Sequence, residues 1–203
     1  MKLYYSPGAC SLATHIALRE LELPFELERV DTATGRTETG ADFRAINPKG
    51  YVAALELDDG QVLTESAALL QYVADLRPEA GLAPEGGLAR ARLQEQLNFT
   101  SSELHKAFGP LFDPATSPEG RQAAVERAGD RLNHYETLLS DGRPYLLGET
   151  YSVADIHLFV VAGWAVPCGF GLDGWPHLKA HGQRIAERPA VHAAMAAEGL
   201  LAA

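Results

Sequence analysis

Read by the spacing of its apolar residues, the chain divides into a mixed front half and a helical back half. Lys2 to Tyr5 is a short β-prone run broken by Ser6-Pro7-Gly8, and Ser11 to Leu21 then carries helix formers with apolar residues at Leu12, Ile16 and Leu18. After the breaker Pro24, Phe25, Leu27 and Val30 interleave with Glu26 and Glu28 as a second strand. Two strands flanking a helix make the βαβ unit of a parallel pair. The polar stretch from Asp31 to Gly40 predicts irregular chain. Ala53 to Leu57 and Gln61 to Leu63 flank the turn Asp58-Asp59-Gly60, which predicts an antiparallel hairpin. Glu65 to Leu76 follows with Ala68, Leu69, Tyr72, Val73 and Leu76 on one helical face.

Residues 78–87 gather prolines and glycines and read as a linker, which gives domains at 1–77 and 88–203. The second domain is helical throughout. One long helix is expected from Leu88 to Phe108, ended by Gly109-Pro110, and another from Glu119 to Ser140, ended by Asp141-Gly142. Ser152 and Asp155 have the spacing of a capping box, with Tyr151 and Ile156 placed as a staple. The helix that follows, to about Val166, is apolar on nearly every side and is expected at the buried centre of its domain.

Composition changes this picture little. With 203 residues and 46% apolar side chains, the chain has room for two modest domains or one large one. Its 27 acidic and 17 basic residues give a net charge of -10, which repels nucleic acid and anionic lipid. An anionic substrate would have to be held by local donors and helix ends. No apolar run approaches the roughly 18 to 20 residues of a membrane span, and the first residues lack a signal-peptide core, so a cytoplasmic protein is expected. Two distant cysteines make neither a disulfide framework nor a thiolate zinc site, and the histidines show no ligand spacing, so no metal is expected.

The chemistry concentrates at Cys10, which stands at the start of the first predicted helix. Unpaired N–H groups and the positive helix end there favour a thiolate and predict a lowered pKa. The competing role is that of a small buried hydrophobe. Three residues on, where a redox dithiol would keep its second cysteine, stands Ala13, so Cys10 is set to pair with an external thiol. Ser11 can donate to either sulfur or cap the helix. Glu65-Ser66 opens a helix behind the hairpin and offers N–H groups and a hydroxyl to a carboxylate, or an ordinary helix start. Cys168, with no basic neighbour close in sequence, reads as a packing residue.

Four motifs occur in order: Tyr4-Tyr5-Ser6-Pro7-Gly8-Ala9-Cys10-Ser11, Ile46-Asn47-Pro48-Lys49-Gly50, Leu63-Thr64-Glu65-Ser66 and Glu103-Leu104-His105-Lys106. With the βαβ-ββα order and the late S-x-x-D helix, the whole chain resembles the bacterial beta class of glutathione S-transferases. That resemblance implies a thioredoxin-like N-terminal glutathione-binding domain and an all-helical C-terminal domain. It implies an enzyme of detoxification that joins glutathione, a co-substrate and not a cofactor, to small hydrophobic electrophiles. Thiol-disulfide exchange through a Cys10-glutathione disulfide is a second activity it allows. The catalytic residues implied are Cys10, Ser11 and His105. Glutathione contacts are implied at Tyr5, Val52, Glu65, Ser66, Asn98, Ser102, Glu103, His105 and Lys106. Phe108 and Trp164 would wall the second substrate's pocket, and a homodimer would bring Glu103 to the partner's glutathione. Two positions depart from the pattern. Ala53 stands where the family has a cis proline, so Val52-Ala53 is either cis or rerouted in trans. Gly35 stands where the class has a lysine, and Arg36 beside it is the substitute candidate. These departures keep open a non-catalytic member of the same fold, binding an apolar ligand or a protein partner in the interdomain cleft.

Overall fold

The structure is a computed structural model and describes residues 1–201. β1 (Lys2–Tyr5) and β2 (Glu26–Asp31) lie parallel, joined through α1 (Ser11–Glu20). β4 (Ala54–Glu56) runs antiparallel to β1, with Leu3 opposite Leu55, and β5 (Val62–Thr64) completes the hairpin through Leu55 and Leu63. A two-residue β3 (Arg36–Thr37) pairs with the end of β2, giving the order β3-β2-β1-β4-β5 among the described residues. This edge strand lies in the stretch expected to be irregular. It is too short for an alternation to show, and its partner contacts are polar: Thr39 Oγ1 donates to the buried Glu28 carboxylate at 2.6 Å.

Pleating sends alternate side chains to opposite faces. Tyr4, Val30 and Ala54 share one face, which Phe43 of the short α2 (Phe43–Ile46) covers, its ring 5.8 Å from that of Tyr4. Leu3 and Leu55 alternate with them and are fully buried, as are Ile16 and Leu18 of α1 and Leu69, Leu70 and Val73 of α3 (Ser66–Asp75). The Val52-Ala53 peptide is cis.

By their contacts, Met1–Ala80 and the segment from Glu187 onward form one unit, and Gly81–Ala186 a second. The division follows Ala80, and α9 (Pro189–Ala197), late in the chain, groups with the first unit. Side-chain chemistry explains this. α9 packs against α1, and Arg188 forms a forked ion pair with Glu20 at 2.6 and 2.9 Å. Beyond α9, the buried Glu198 carboxylate accepts from the Gly8 N–H at 2.9 Å and from His15 Nδ1 at 2.8 Å.

The second unit contains α4 (Gly87–Phe99), a π-helical turn (Thr100–Leu104), α5 (His105–Phe112), α6 (Pro118–Leu139), α7 (Val153–Gly163) and α8 (Pro176–Ala186). The expected stop at Gly109-Pro110 does not occur, because α5 carries Pro110 inside it and runs on to Phe112. Burial decides here: Phe108 and Leu111 extend the apolar face past the proline, so packing overrides propensity. α7 is buried almost throughout, as its all-round apolarity implies. Its start is fixed by Asp155, whose carboxylate accepts from the Ser152 N–H and hydroxyl, the Leu146 N–H and His181 Nε2, all within 2.9 Å.

Candidate functional site

In the first unit the β1 strand ends at Tyr5, and a tight turn with Gly8 at φ +71° delivers Cys10 to the start of α1. Only glycine takes that backbone region without steric cost, and here it lets the chain double back within three residues. Ser11 seals the turn: its Oγ accepts from the Ser6 N–H at 3.2 Å and lies 3.3 Å from the Ser6 carbonyl. Fully buried and bonded to Ser6, Ser11 braces the loop.

Three groups from elsewhere in this unit meet the Cys10 sulfur. The thiol donates to the Val52 carbonyl at 3.4 Å, and the Ser66 hydroxyl and the Ala53 N–H are near enough to favour its ionised form. The turn before β4 supplies two of them. Asn47 shapes that turn, its Nδ2 donating to the Tyr51 carbonyl at 2.7 Å and its Oδ1 accepting from the Lys49 N–H. Ser66 comes from the first turn of α3. The preceding Glu65 has φ +74°, a left-handed conformation that costs a non-glycine residue on the order of 1 to 3 kcal/mol and concentrates at functional sites. Its exposed carboxylate pairs with Lys49 Nζ at 2.6 Å.

The expectation of a lowered Cys10 pKa is corrected by this geometry. Burial pushes the thiol up; the hydrogen bonds of Ser66, Ala53 and the residue's own N–H pull it down, and the Glu65 charge adds to the rise. The net direction is upward. The N-terminus of a ten-residue helix does not offset removal of the sulfur from water. A thiol that donates to a carbonyl also favours its neutral form.

The other predicted residues of this unit lie as follows. Tyr5 is buried, its ring 6.3 Å from that of His15, and burial raises its hydroxyl pKa. Arg36 is exposed on the edge strand and donates to the Gly40 carbonyl at 3.2 Å. Sequence reasoning missed Ala53 as a donor to the sulfur. Ser66, which the resemblance assigns to the γ-glutamyl end of glutathione, also favours the ionised form of Cys10. The signal was available in the motif Thr64-Glu65-Ser66, but only a tertiary register tells which neighbour a hydroxyl meets.

The second unit holds the rest. Asn98 and Ser102 are exposed, the Ser102 hydroxyl donating to the Asn98 carbonyl at 2.9 Å, and Lys106 is exposed. Glu103 accepts from Arg131 Nε of α6 at 2.9 Å. All four, with His105, sit in or beside the π-helical turn, which rotates the helix face that follows it and is a frequent marker of function. Thr100 anchors the turn, bonded to the Gln96 carbonyl at 2.9 Å and to the Tyr135 hydroxyl at 2.6 Å. The His105 ring lies 4.8 Å from Trp164, edge to face. Phe108 is fully buried and stands behind Trp164 rather than on a surface; the exposed aromatic against Trp164 is Phe112, which the sequence reading did not single out. Among the described residues, no group of three or more metal-binding side chains stands together.

Comparison with known proteins adds family-level findings. The family models "Glutathione S-transferase, N-terminal domain" and "Glutathione S-transferase, C-terminal domain" match residues 8–76 and 99–189. The glutathione S-transferase GstA of Escherichia coli O157:H7 is 45% identical over 201 residues, covering 98% of this chain and 100% of that protein. A sphingomonad glutathione S-transferase solved with glutathione superposes at a TM-score of 0.95 with 51% identity, over 99% of this chain and 100% of that one. A bacterial beta-class enzyme of Sphingomonas chungbukensis gives 0.96 and 50%, over 99% of this chain and 100% of that one.

Proposed function

This chain belongs to the glutathione S-transferase family and is a glutathione S-transferase of the bacterial beta class, and on that premise we propose that its glutathione site is built around Cys10. The observation that carries the proposal is the meeting of the Val52 carbonyl, the Ala53 N–H and the Ser66 hydroxyl at one sulfur. A donor and an acceptor on adjacent main-chain groups suit the backbone of a cysteinyl peptide, and Glu65 beside the start of α3 suits an ammonium and a carboxylate at its γ-glutamyl end.

In this reading the Val52 carbonyl has two alternative donors. Without ligand it takes the Cys10 S–H, which favours the neutral thiol; glutathione's cysteinyl N–H displaces it. Released from that bond and still held by Ser66 and Ala53, the sulfur ionises more readily. For exchange, the Cys10 thiolate attacks one sulfur of oxidised glutathione, a Cys10-glutathione disulfide forms, and the other glutathione leaves as its thiolate with the bonding pair. For conjugation, the thiolate of bound glutathione attacks an electrophilic carbon and the leaving group departs with its pair, the site supplying position and exclusion of water. In the second unit the electrophile is assigned to the aromatic face of His105, Phe112 and Trp164, with Phe108 as its backing.

We further propose a homodimer and a cytoplasmic setting, where glutathione keeps the two free thiols reduced. Light scattering at micromolar concentration tests the first. The site itself is tested by exposing the protein to oxidised glutathione and mapping the adduct. One glutathionyl group on Cys10 is expected, lost in Cys10→Ser. Modification of Cys168 with Cys10 untouched refutes the assignment.

A further inference from the structure

Lys49 joins two segments of the proposed glutathione site. It stands in the turn before β4, and its Nζ crosses to the junction of β5 and α3, donating to the Thr64 hydroxyl at 3.0 Å and to the Glu65 carboxylate at 2.6 Å. Asn47 fixes the turn from which it reaches: Oδ1 accepts from the Lys49 N–H at 3.2 Å, and Nδ2 donates to the Tyr51 carbonyl at 2.7 Å. Val52 follows directly, and its carbonyl meets the Cys10 thiol. One short turn thus places a main-chain acceptor at the sulfur and a cation on the carboxylate that precedes Ser66.

The Lys49–Glu65 pair opens at little cost. The two side chains are 50% and 68% exposed, and an ion pair so solvated contributes little to stability. In the reading proposed above, Glu65 receives the γ-glutamyl ammonium of glutathione. The same ligand carbon bears a carboxylate, so a new anion arrives beside Lys49 Nζ as its old partner is taken. Charge favours the exchange. Glutathione is net negative, the chain carries a charge of -10, and without Lys49 the Glu65 carboxylate would face an anionic ligand uncompensated. Neighbouring basic groups are placed differently. Arg36 lies on β3, at the opposite edge of the sheet from β5, and donates to the Gly40 carbonyl. Arg44 holds its guanidinium against Gly50, where an added Cβ would come within 3.4 Å of it.

From this geometry we propose that Lys49 is a glutathione-binding residue that exchanges partners. It pairs with Glu65 before glutathione binds, and with the α-carboxylate of the γ-glutamyl group once the ammonium of that group occupies Glu65. The inference rests on the reading that Glu65 takes the ligand's ammonium. It extends that reading by naming the cation that holds the other charge of the γ-glutamyl zwitterion, and it gives the turn before β4 two contacts with one ligand, through Val52 and through Lys49.

The test is calorimetric titration of S-methylglutathione, whose blocked sulfur forms no disulfide with Cys10, into the intact protein. Lys49→Met should bind about fivefold more weakly, the worth of one solvent-exposed charge contact, and with a smaller dependence on salt. Lys49→Arg should keep most of the affinity. Arg44→Gln, which removes the same charge from the neighbouring helix but not from Glu65, should bind as the wild type does. S-methyl-γ-glutamylcysteine, which lacks the glycine, should lose the same factor on Lys49→Met. Unchanged or tighter binding by Lys49→Met overturns the proposal, because the lysine would then only compete for Glu65. An equal loss in Arg44→Gln overturns it in favour of a diffuse field, and a loss that vanishes with the truncated ligand overturns it in favour of the glycyl carboxylate. Glu65→Gln separates the two levels: full binding by that variant overturns the underlying reading and the inference with it, whereas weak binding by Glu65→Gln beside full binding by Lys49→Met overturns the inference alone.

Discussion

Acidification should destabilise this protein through one buried histidine. His157 stands on α7 fully buried, and neither ring nitrogen has a hydrogen-bond partner among the described residues. Burial, with a smaller contribution from the charge of His105, pulls its pKa from the ordinary 6.5 down to about 3. The folded chain therefore holds this ring neutral over a range in which the unfolded chain protonates it. For a histidine depressed in this way, stability is fully present above 6.5, falls as pH drops and levels off below about 3. The slope inside that window approaches 1.4 kcal/mol per pH unit, so lowering the pH from 7 to 5 costs about 2 kcal/mol from this group alone. That is a sizeable share of a total in the range of about 5 to 15 kcal/mol. Urea unfolding at pH 7, 6 and 5, at fixed salt and protein concentration, should show the loss in the wild type. His157→Phe, which keeps a ring and removes the titration, should lose about 2 kcal/mol less over the same interval. At pH 7 the variant should match or exceed the wild type, since it no longer buries two unsatisfied nitrogens. Parallel pH dependences in the two proteins would refute the reasoning, because they would mean that His157 is solvated or bonded and titrates alike in both states.

Glu198→Ala strands His15 and the Gly8 N–H in the interior, and loss of one member of a buried pair costs about 3 to 5 kcal/mol. Thermal melts should read this as a drop on the order of 10 °C, and an unchanged melting temperature would show the cluster to be solvated. Glu22, exposed at φ +50° just past α1, sits where glycine is favoured, so Glu22→Gly should stabilise by about 0.5 to 1 kcal/mol in urea titrations. The raised Cys10 pKa predicts that its alkylation by iodoacetamide is slow at pH 7 and still climbing above pH 9, and that Ser66→Ala slows it further; a rate plateau below pH 8 would contradict the burial argument.

What the sequence revealed, and what it withheld, follows the range of the interactions involved. The βαβ unit, the Asp58-Asp59-Gly60 hairpin and the Ser152-Asp155 helix start rest on periodicity and on neighbours a few residues apart, and all three stand in the structure. Cys10 was legible as a helix-start thiol for the same reason. Its ionisation was not, because the terms that decide it come from Val52, Ala53, Glu65 and Ser66, more than forty residues away, and from burial, which no local pattern reports. The histidines make the point more sharply. His15 and His181 showed no carboxylate at ligand-like spacing, yet each meets one: Glu198 stands 183 residues from His15, and Asp155 stands 26 from His181. These contacts also explain why the chain's end joins the first unit. A late helix that reads as one more member of a bundle is drawn to α1 by two carboxylate contacts, Glu20 with Arg188 and Glu198 with His15, that periodicity cannot see. Local chemistry thus proposes the elements and the reactive groups, and distant polar partners determine how those groups are charged and what lies next to them.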